Sequence, residues 1–346
     1  MKKSDLEKLL FKLAKSTCNY RDIETQKCIN NILSSDINKK YKELISESFE
    51  VDRKPIQIVT DFDKRTQSEI EVIPFKVACG NEVPIFTIKD MRDLIQFVGY
   101  CKYTNASSYN VYMRGQTNLY GGKMIPTLYR GQNNLMSTLY GFRKRLNLSV
   151  KELKILKNYD KRIVEPMIQH YGIKTTNIDL VDNVWVALWF GLHTARSVIS
   201  GGRENVYYSK SNEDYAYLIM MATDAVHEQS RGICEGEHTR LVDLRKAVPS
   251  YFVRTHAQHA LMLKKKEIDI DNITEADVDY SDLIVGIARI PVSLGLEWIG
   301  DNKLLSVGNL FPSAYFDYGY RKMIDQYPLH DKSCSINWGT IQIIND

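Results

Sequence analysis

The chain has 346 residues, of which 44% are hydrophobic and 25% charged, the balance of a folded protein rather than a disordered one. Its formal net charge of +4 permits an anionic ligand but does not indicate a nucleic-acid-binding protein. Six cysteines without a Cys-x-x-Cys pair argue against a disulfide scaffold, and no run of about 18 apolar residues predicts a membrane span. We expect a cytoplasmic protein whose first residues, MKKSDLEKLL, begin a helix rather than a signal peptide.

The N-terminal part of the chain predicts helices followed by a less regular segment. Ser4 and Glu7 form a capping box before leucines at helical spacing, so residues 1–50 predict a helical region. Residues 51–84 mix charges with β-branched residues and predict a linker, or a small hairpin built from 56–60 and 70–77.

Two helices and a strand are predicted in the middle of the chain. A helix begins after Asp90, and SSYNVYMRG then indicates a turn, a short strand and a glycine. A capping box of Ser149 and Glu152 predicts a helix that ends near His170, with Gly172 as its C-terminal cap.

The rest of the chain predicts mainly strands. IKTTNIDL predicts a short strand, VWVALWFGLHTA a buried helix and SGGRENVYYSKSNED a polar loop. Later strands are predicted from YAYLIMM, TRLVDL, HALMLKK and LIVGIARI. This order favours an α+β fold, in which N-terminal helices precede a mixed, largely antiparallel sheet with flanking helices.

The triplet Arg-Gly-Gln occurs twice, at Arg114-Gly115-Gln116 and at Arg130-Gly131-Gln132. Arg114 ends a predicted strand beside a glycine that lets a ligand approach the backbone, which suits a phosphate or carboxylate. A surface arginine in a turn is the alternative. The flanking sequences differ, so the triplets are not a duplicated unit, and two arginines that converge on one anion are the functional interpretation.

Four further residues could carry chemistry or structure. His170 ends a helix, whose dipole raises a histidine pKa, and it is either structural or ligand-binding. Asp179 lies in a strand before a buried helix, where a buried carboxylate anchors loops or pairs with an arginine. Arg254 and Gln258 precede a late strand.

A metal site is not expected. The nearest pattern combines two histidines, His256 and His259, with Cys234 and His238 upstream, and this spacing fits no strong zinc signature.

These segments, in this order, resemble the FRG domain family, named for a Phe-x-Arg-Gly signature that appears here as YMRG. Further matches are IPTLYR, QHYG, a box of Thr175, Asp179, Ala187, Leu188 and Phe190, the pair Arg254 and Gln258, and LFP at 310–312. The resemblance covers about 85–325, with 326–346 as a tail or edge strand. One box departs from the family pattern, because Thr176, Leu180 and Val181 replace an arginine, a tryptophan and a threonine.

The resemblance implies a bacterial or phage-related protein with a defence role, and the motif order is similar to that of arginine-type ADP-ribosyltransferases. It implies an enzyme that consumes NAD, either an ADP-ribosyltransferase or an NAD glycohydrolase, with Arg114 on the pyrophosphate and Gln258 or Glu267 at the late catalytic position. Ligand-binding positions implied in the same way are Gly115, Gln116, Arg130, His170, Tyr171, Thr175, Thr176, Asp179 and Arg254. Because Gln258 carries no charge, a non-catalytic nucleotide- or nucleic-acid-sensing module is the alternative. Its N-terminal helices would then contact a protein partner. A third interpretation is an interaction domain in which Arg114 and Asp179 form a buried ion pair.

Overall fold

A computed structural model describes residues 54–200, 203–266, 272–326 and 341–345. The predicted N-terminal helices and Glu267 therefore lie outside the described residues. Ile56–Asp346 forms one compact unit.

Both strands and helices contribute to the described residues. The strands are β1 (Glu71–Ile73), β2 (Ile85–Thr87), β3 (Asn110–Gln116), β4 (Ile178–Val181), β5 (His193–Ser200), β6 (Arg203–Lys210), β7 (Tyr215–Thr223), β8 (His227–Ser230), β9 (Ile233–Glu235), β10 (Thr239–Asp243), β11 (Ala260–Lys265), β12 (Ile284–Pro291) and β13 (Ile343–Asn345). The helices are α1 (Met91–Asn105), α2 (Leu135–Glu152), α3 (Lys161–His170), α4 (Val184–Leu192), α5 (Leu244–Ala247), α6 (Val253–Ala257), α7 (Glu275–Val278), α8 (Val292–Trp298), α9 (Val307–Leu310) and α10 (Tyr318–Gln326). Short 3₁₀ turns lie at Phe62–Lys64, Tyr120–Gly122, Lys154–Leu156 and Ser281–Leu283.

A ten-stranded sheet forms the centre of the fold, in the order β1-β2-β12-β7-β3-β4-β11-β10-β9-β8. The β2–β12 pair is parallel, and its other neighbouring pairs are antiparallel. A second sheet has the order β13-β6-β5, with β13 as a parallel edge strand on β6. The predicted α+β fold with a mixed, largely antiparallel sheet is confirmed.

Several predicted elements are confirmed with their local causes. Helix α1 begins at Met91 because the Asp90 side chain accepts a hydrogen bond from the backbone N–H of Arg92 at 2.7 Å. Helix α3 ends at His170, and Gly172 follows with a φ of 115°, a conformation that favours glycine. The four late strand predictions correspond to β7, β10, β11 and β12.

Three local predictions are wrong. Ser149 lies inside α2, and α3 begins later, where the Asp160 side chain caps the N–H of Arg162 at 2.8 Å. Of the two alternatives for residues 51–84, the hairpin built from 56–60 and 70–77 does not form, since 56–60 form no strand and β1 pairs with β2.

The third wrong prediction concerns the segment that follows α4. The predicted polar loop contains β6, which pairs along its length with β5. Val206 is buried and Tyr208 half-buried at alternate positions, so this strand packs one face inward despite its polar composition. None of the described helices is both long enough and apolar enough to cross a membrane.

Candidate functional site

A cavity of about 400 Å³ opens where β3 and β4 part. The two strands pair at Met113 and Val181. Beyond that pair Arg114, Gly115 and Gln116 on one side and Asp179 and Leu180 on the other line the cavity. The volume is that of a small-molecule site, and both walls come from regular strands, which hold side chains more rigidly than loops do.

Gly115 lets helix α4 approach β3. A Cβ atom at this position would lie 1.7 Å from the carbonyl oxygen of Ala187 and 2.8 Å from the backbone nitrogen of Gly191. The sequence-based explanation, that the glycine admits a ligand, therefore needs correction, since the space beside it is filled by the helix. The close contact brings α4, including Phe190, to the wall of the cavity.

Arg114 is held from two directions by protein groups. Its Nη1 donates to the backbone oxygen of Asp179 at 2.8 Å and lies 3.9 Å from the carboxylate Oδ2 of the same residue. The side-chain amide of Gln116 is oriented so that its nitrogen donates to the backbone oxygen of Asn118. Its oxygen then accepts a hydrogen bond from Arg114 Nε at 2.9 Å. The side chain is 17% exposed, so a fixed guanidinium faces the cavity.

Arg130 lies at the same cavity as Arg114. A turn after Pro126 positions it, and its Nε donates to the carbonyl oxygen of Ile125 at 2.9 Å. Burial lowers the pKa of Arg114; the charge of Asp179 opposes this, and the nearby charge of Arg130 adds to it. Two guanidinium groups and one carboxylate thus leave the cavity with a net positive charge that favours an anion.

His170, Gln258 and Asp179 form a polar group beside Arg114 in the cavity. His170 Nδ1 lies 3.2 Å from Gln258 Oε1, and its Nε2 lies 3.8 Å from Asp179 Oδ1. Asp179 also accepts from Gln169 Nε2 at 2.6 Å, and its side chain is 44% exposed rather than buried. Burial lowers the pKa of His170, so the expected increase from the helix dipole is wrong and the ring is neutral at neutral pH.

Aromatic side chains form the remaining wall. Tyr208 and Phe311 stack with ring centroids 4.8 Å apart, and Phe190 meets Phe311 edge-on at 6.1 Å. Tyr120, at the edge of the cavity, is 57% exposed and has a φ of 50°, a strained conformation for a residue with a Cβ. Burial raises the pKa of Tyr208 to about 12.

Four residues predicted to bind ligand lie outside the cavity. The Thr175 hydroxyl donates to Gln169, and the Thr176 hydroxyl donates to the buried carboxylate of Glu165 at 2.6 Å. Tyr171 and Arg254 are buried: the guanidinium of Arg254 lies 4.8 Å from the centre of the Tyr171 ring. Arg254 acts on the site indirectly, because its Nη1 donates to the backbone oxygen of His170 at 2.8 Å.

The sequence analysis missed several residues of the cavity wall, among them Tyr120, Gln169, Phe190, Tyr208 and Phe311. Phe190 and Phe311 belong to the motifs that carry the family resemblance, which is the signal that could have found them. Tyr208 was hidden by the loop prediction. Among the described residues, no cluster of three or more His, Cys, Asp or Glu side chains is arranged to hold a metal ion.

The site is thus an arginine-lined cavity with an aromatic wall at the centre of an α+β fold. The family model of the FRG domain matches residues 109–198, so the chain contains an FRG domain, and the predicted resemblance is confirmed over that segment. The matched segment runs from the start of β3 into β5, and therefore supplies most of the polar walls of the cavity. No curated protein and no solved structure matches the chain, and the likeness to ADP-ribosyltransferases remains a prediction.

Proposed function

We propose that the cavity binds NAD or a related nucleotide, with the phosphates on Arg114 and Arg130. The observation that carries this proposal is the presence of both guanidinium groups at one cavity that also has an aromatic wall. Guanidinium groups bind phosphate oxygens through paired N–H donors, and aromatic faces stack on bases.

Arg114 keeps donors available for a ligand. Its Nη1 and Nε contact protein oxygens, while its Nη2 has no acceptor within the part of the chain that the structure describes. Because the arginine is buried and held, little side-chain entropy is lost when an anion binds. Arg130 is more exposed and adds a second positive charge.

The test is a calorimetric titration of the purified chain with NAD and ADP-ribose at fixed salt concentration. Arg114→Ala should weaken binding about 10- to 100-fold, the usual value of a hydrogen bond to a charged group. Arg92→Ala is the matched control, since Arg92 is 90% exposed, pairs with Asp90 and lies outside the cavity. The proposal fails if neither nucleotide binds the folded protein, or if Arg114→Ala binds as tightly as the unmodified chain.

NAD cleavage is the second candidate function, and Asp179 is the observation that favours it. Among the described residues that line the cavity, it is the one carboxylate. Cleavage of the nicotinamide–ribose bond passes through an oxocarbenium-like state that a nearby negative charge stabilises. Gln258 is less suited, since it is neutral and its amide nitrogen donates to the backbone oxygen of Leu310 at 2.9 Å.

Release of nicotinamide from NAD separates an enzyme from a sensing module. For an enzyme, Asp179→Asn should abolish release while NAD still binds. For a non-catalytic module that acts through protein partners, NAD binds and persists even when cell lysate is added.

A further inference from the structure

The protonated nitrogen of His170 follows from its contacts with Gln258. Gln258 Nε2 donates to the backbone oxygen of Leu310, so the amide oxygen of Gln258 must be the atom that faces His170 Nδ1, at 3.2 Å. A carbonyl oxygen only accepts, so Nδ1 carries the proton. In the neutral ring, Nε2 is then an acceptor with a free lone pair.

This Nε2 faces a second acceptor. It lies 3.8 Å from Asp179 Oδ1, too far for a hydrogen bond, and it has no hydrogen-bond partner among the described residues. The His170 side chain is 6% exposed, whereas Asp179 is 44% exposed and opens toward the cavity. Nε2 therefore has no donor among the described residues, and an O–H group of a bound ligand would supply one at a place where it also reaches Asp179.

We propose that His170 Nε2 and Asp179 bind the 2′,3′-diol of a ribose, so that the cavity selects ribonucleotides over deoxyribonucleotides. This proposal rests on the nucleotide binding proposed above. A cis-diol presents two adjacent O–H donors, one for each acceptor, and a small movement of the exposed Asp179 side chain admits the hydroxyl that reaches Nε2.

The short distance between Arg114 and the Asp179 carboxylate is compatible with a phosphate and a ribose diol that belong to one ligand. Arg114 Nη1 lies 3.9 Å from Asp179 Oδ2, the other oxygen of the same carboxylate. A phosphate on Arg114 therefore lies next to a sugar whose hydroxyls point at Asp179 and His170, as in a 5′-nucleotide. The aromatic wall of Tyr208 and Phe311 completes the site.

The test compares affinities for two probe pairs by calorimetry. One pair is ADP and 2′-deoxy-ADP, and the other is NAD and NAD that lacks the 2′-hydroxyl on its nicotinamide ribose. We expect the deoxy probe of at least one pair to bind about tenfold more weakly than its hydroxylated partner. The missing 2′-hydroxyl leaves the buried acceptor, His170 Nε2, unpaired.

His170→Asn assigns the discrimination to this residue. The asparagine amide replaces the Nδ1 donor to Gln258 and removes the Nε2 acceptor. The two members of whichever probe pair showed the preference should therefore bind this variant equally. His238→Asn is the control, because His238 is exposed and lies outside the cavity, and it should keep the preference.

The possible outcomes separate the two proposals. Equal binding of both members of both pairs to the unmodified chain refutes the diol contact and leaves nucleotide binding intact. A preference that persists in folded His170→Asn also refutes it. If no probe binds the folded chain, the function proposed above fails and the diol contact fails with it.

Discussion

The substitution Gly115→Ala tests how the cavity is built. The added Cβ would lie 1.7 Å from the carbonyl oxygen of Ala187, whereas non-bonded carbon and oxygen atoms in proteins pack at about 3.4 Å or more. The obstacle is helix backbone, so a rotamer change cannot relieve the clash and α4 must move away from β3. Overpacking a core usually costs about 1–3 kcal/mol, and we expect a loss of at least about 3 kcal/mol here.

The assay is urea unfolding followed by tryptophan fluorescence, which reports on α4 because Trp189 in that helix is fully buried. Gly99→Ala is the matched control, since Gly99 is exposed within α1 and an added Cβ would meet nothing within 4 Å. It should stabilise the chain by about 0.5–1 kcal/mol, because alanine favours helix more than glycine does. If Gly115→Ala were as stable as the unmodified chain, the close contact between strand and helix would be wrong.

Two further substitutions probe other parts of the domain. Burial raises the pKa of Glu165, but Lys264 and hydrogen bonds outweigh it and lower that pKa overall. The unmodified chain should therefore lose stability as the pH falls below the usual glutamate value of about 4.3, and Glu165→Gln should reduce that loss when unfolding curves at pH 7 and pH 3 are compared. At pH 7 Glu165→Gln should lower the free energy of unfolding by about 2 kcal/mol. This is less than the loss expected for a fully buried ion pair, because Lys264 is 30% exposed. Phe311→Ala should lower stability by about 3 kcal/mol and weaken nucleotide binding through the loss of its stack on Tyr208. Phe316→Ala, at a residue 71% exposed, should change neither; equal effects would refute the aromatic wall.

The fold class was predictable because the long strands have a clear composition. YAYLIMM and LIVGIARI are apolar almost throughout and become β7 and β12, adjacent strands buried at the centre of the sheet. The β5–β6 hairpin was not predictable from composition, because its strands carry many charged and polar residues. Its inward face becomes apparent only in the structure, where Val206 and Tyr208, two residues apart, both point toward the core.

The candidate site was partly predictable, and the limit is spatial. Arg114, Arg130, His170, Asp179 and Gln258 were all singled out from the sequence, and the structure brings them to one cavity. The sequence did not reveal in which direction each side chain points. Among neighbouring residues of the motifs, some side chains face the cavity and others pack in the core. Which of the two a residue does depends on where β3 and β4 separate.

The charges and donors of the cavity together favour a nucleotide over simpler anions. Inorganic phosphate would bind Arg114 and Arg130. It would also lie near the Asp179 carboxylate, which is 3.9 Å from Arg114, and it has too few O–H groups to donate to that carboxylate. An aromatic carboxylate would use the arginines and the stacked rings of Tyr208 and Phe311, yet would leave His170 Nε2 unpaired. A ribonucleotide carries the three complementary parts at once, namely phosphate for the guanidinium groups, hydroxyls for the two acceptors and a base for the rings. If the proposed function holds, the arginines and the nearby acceptors bind connected parts of one ligand, so removing the 2′-hydroxyl and removing Arg114 should each weaken the same complex.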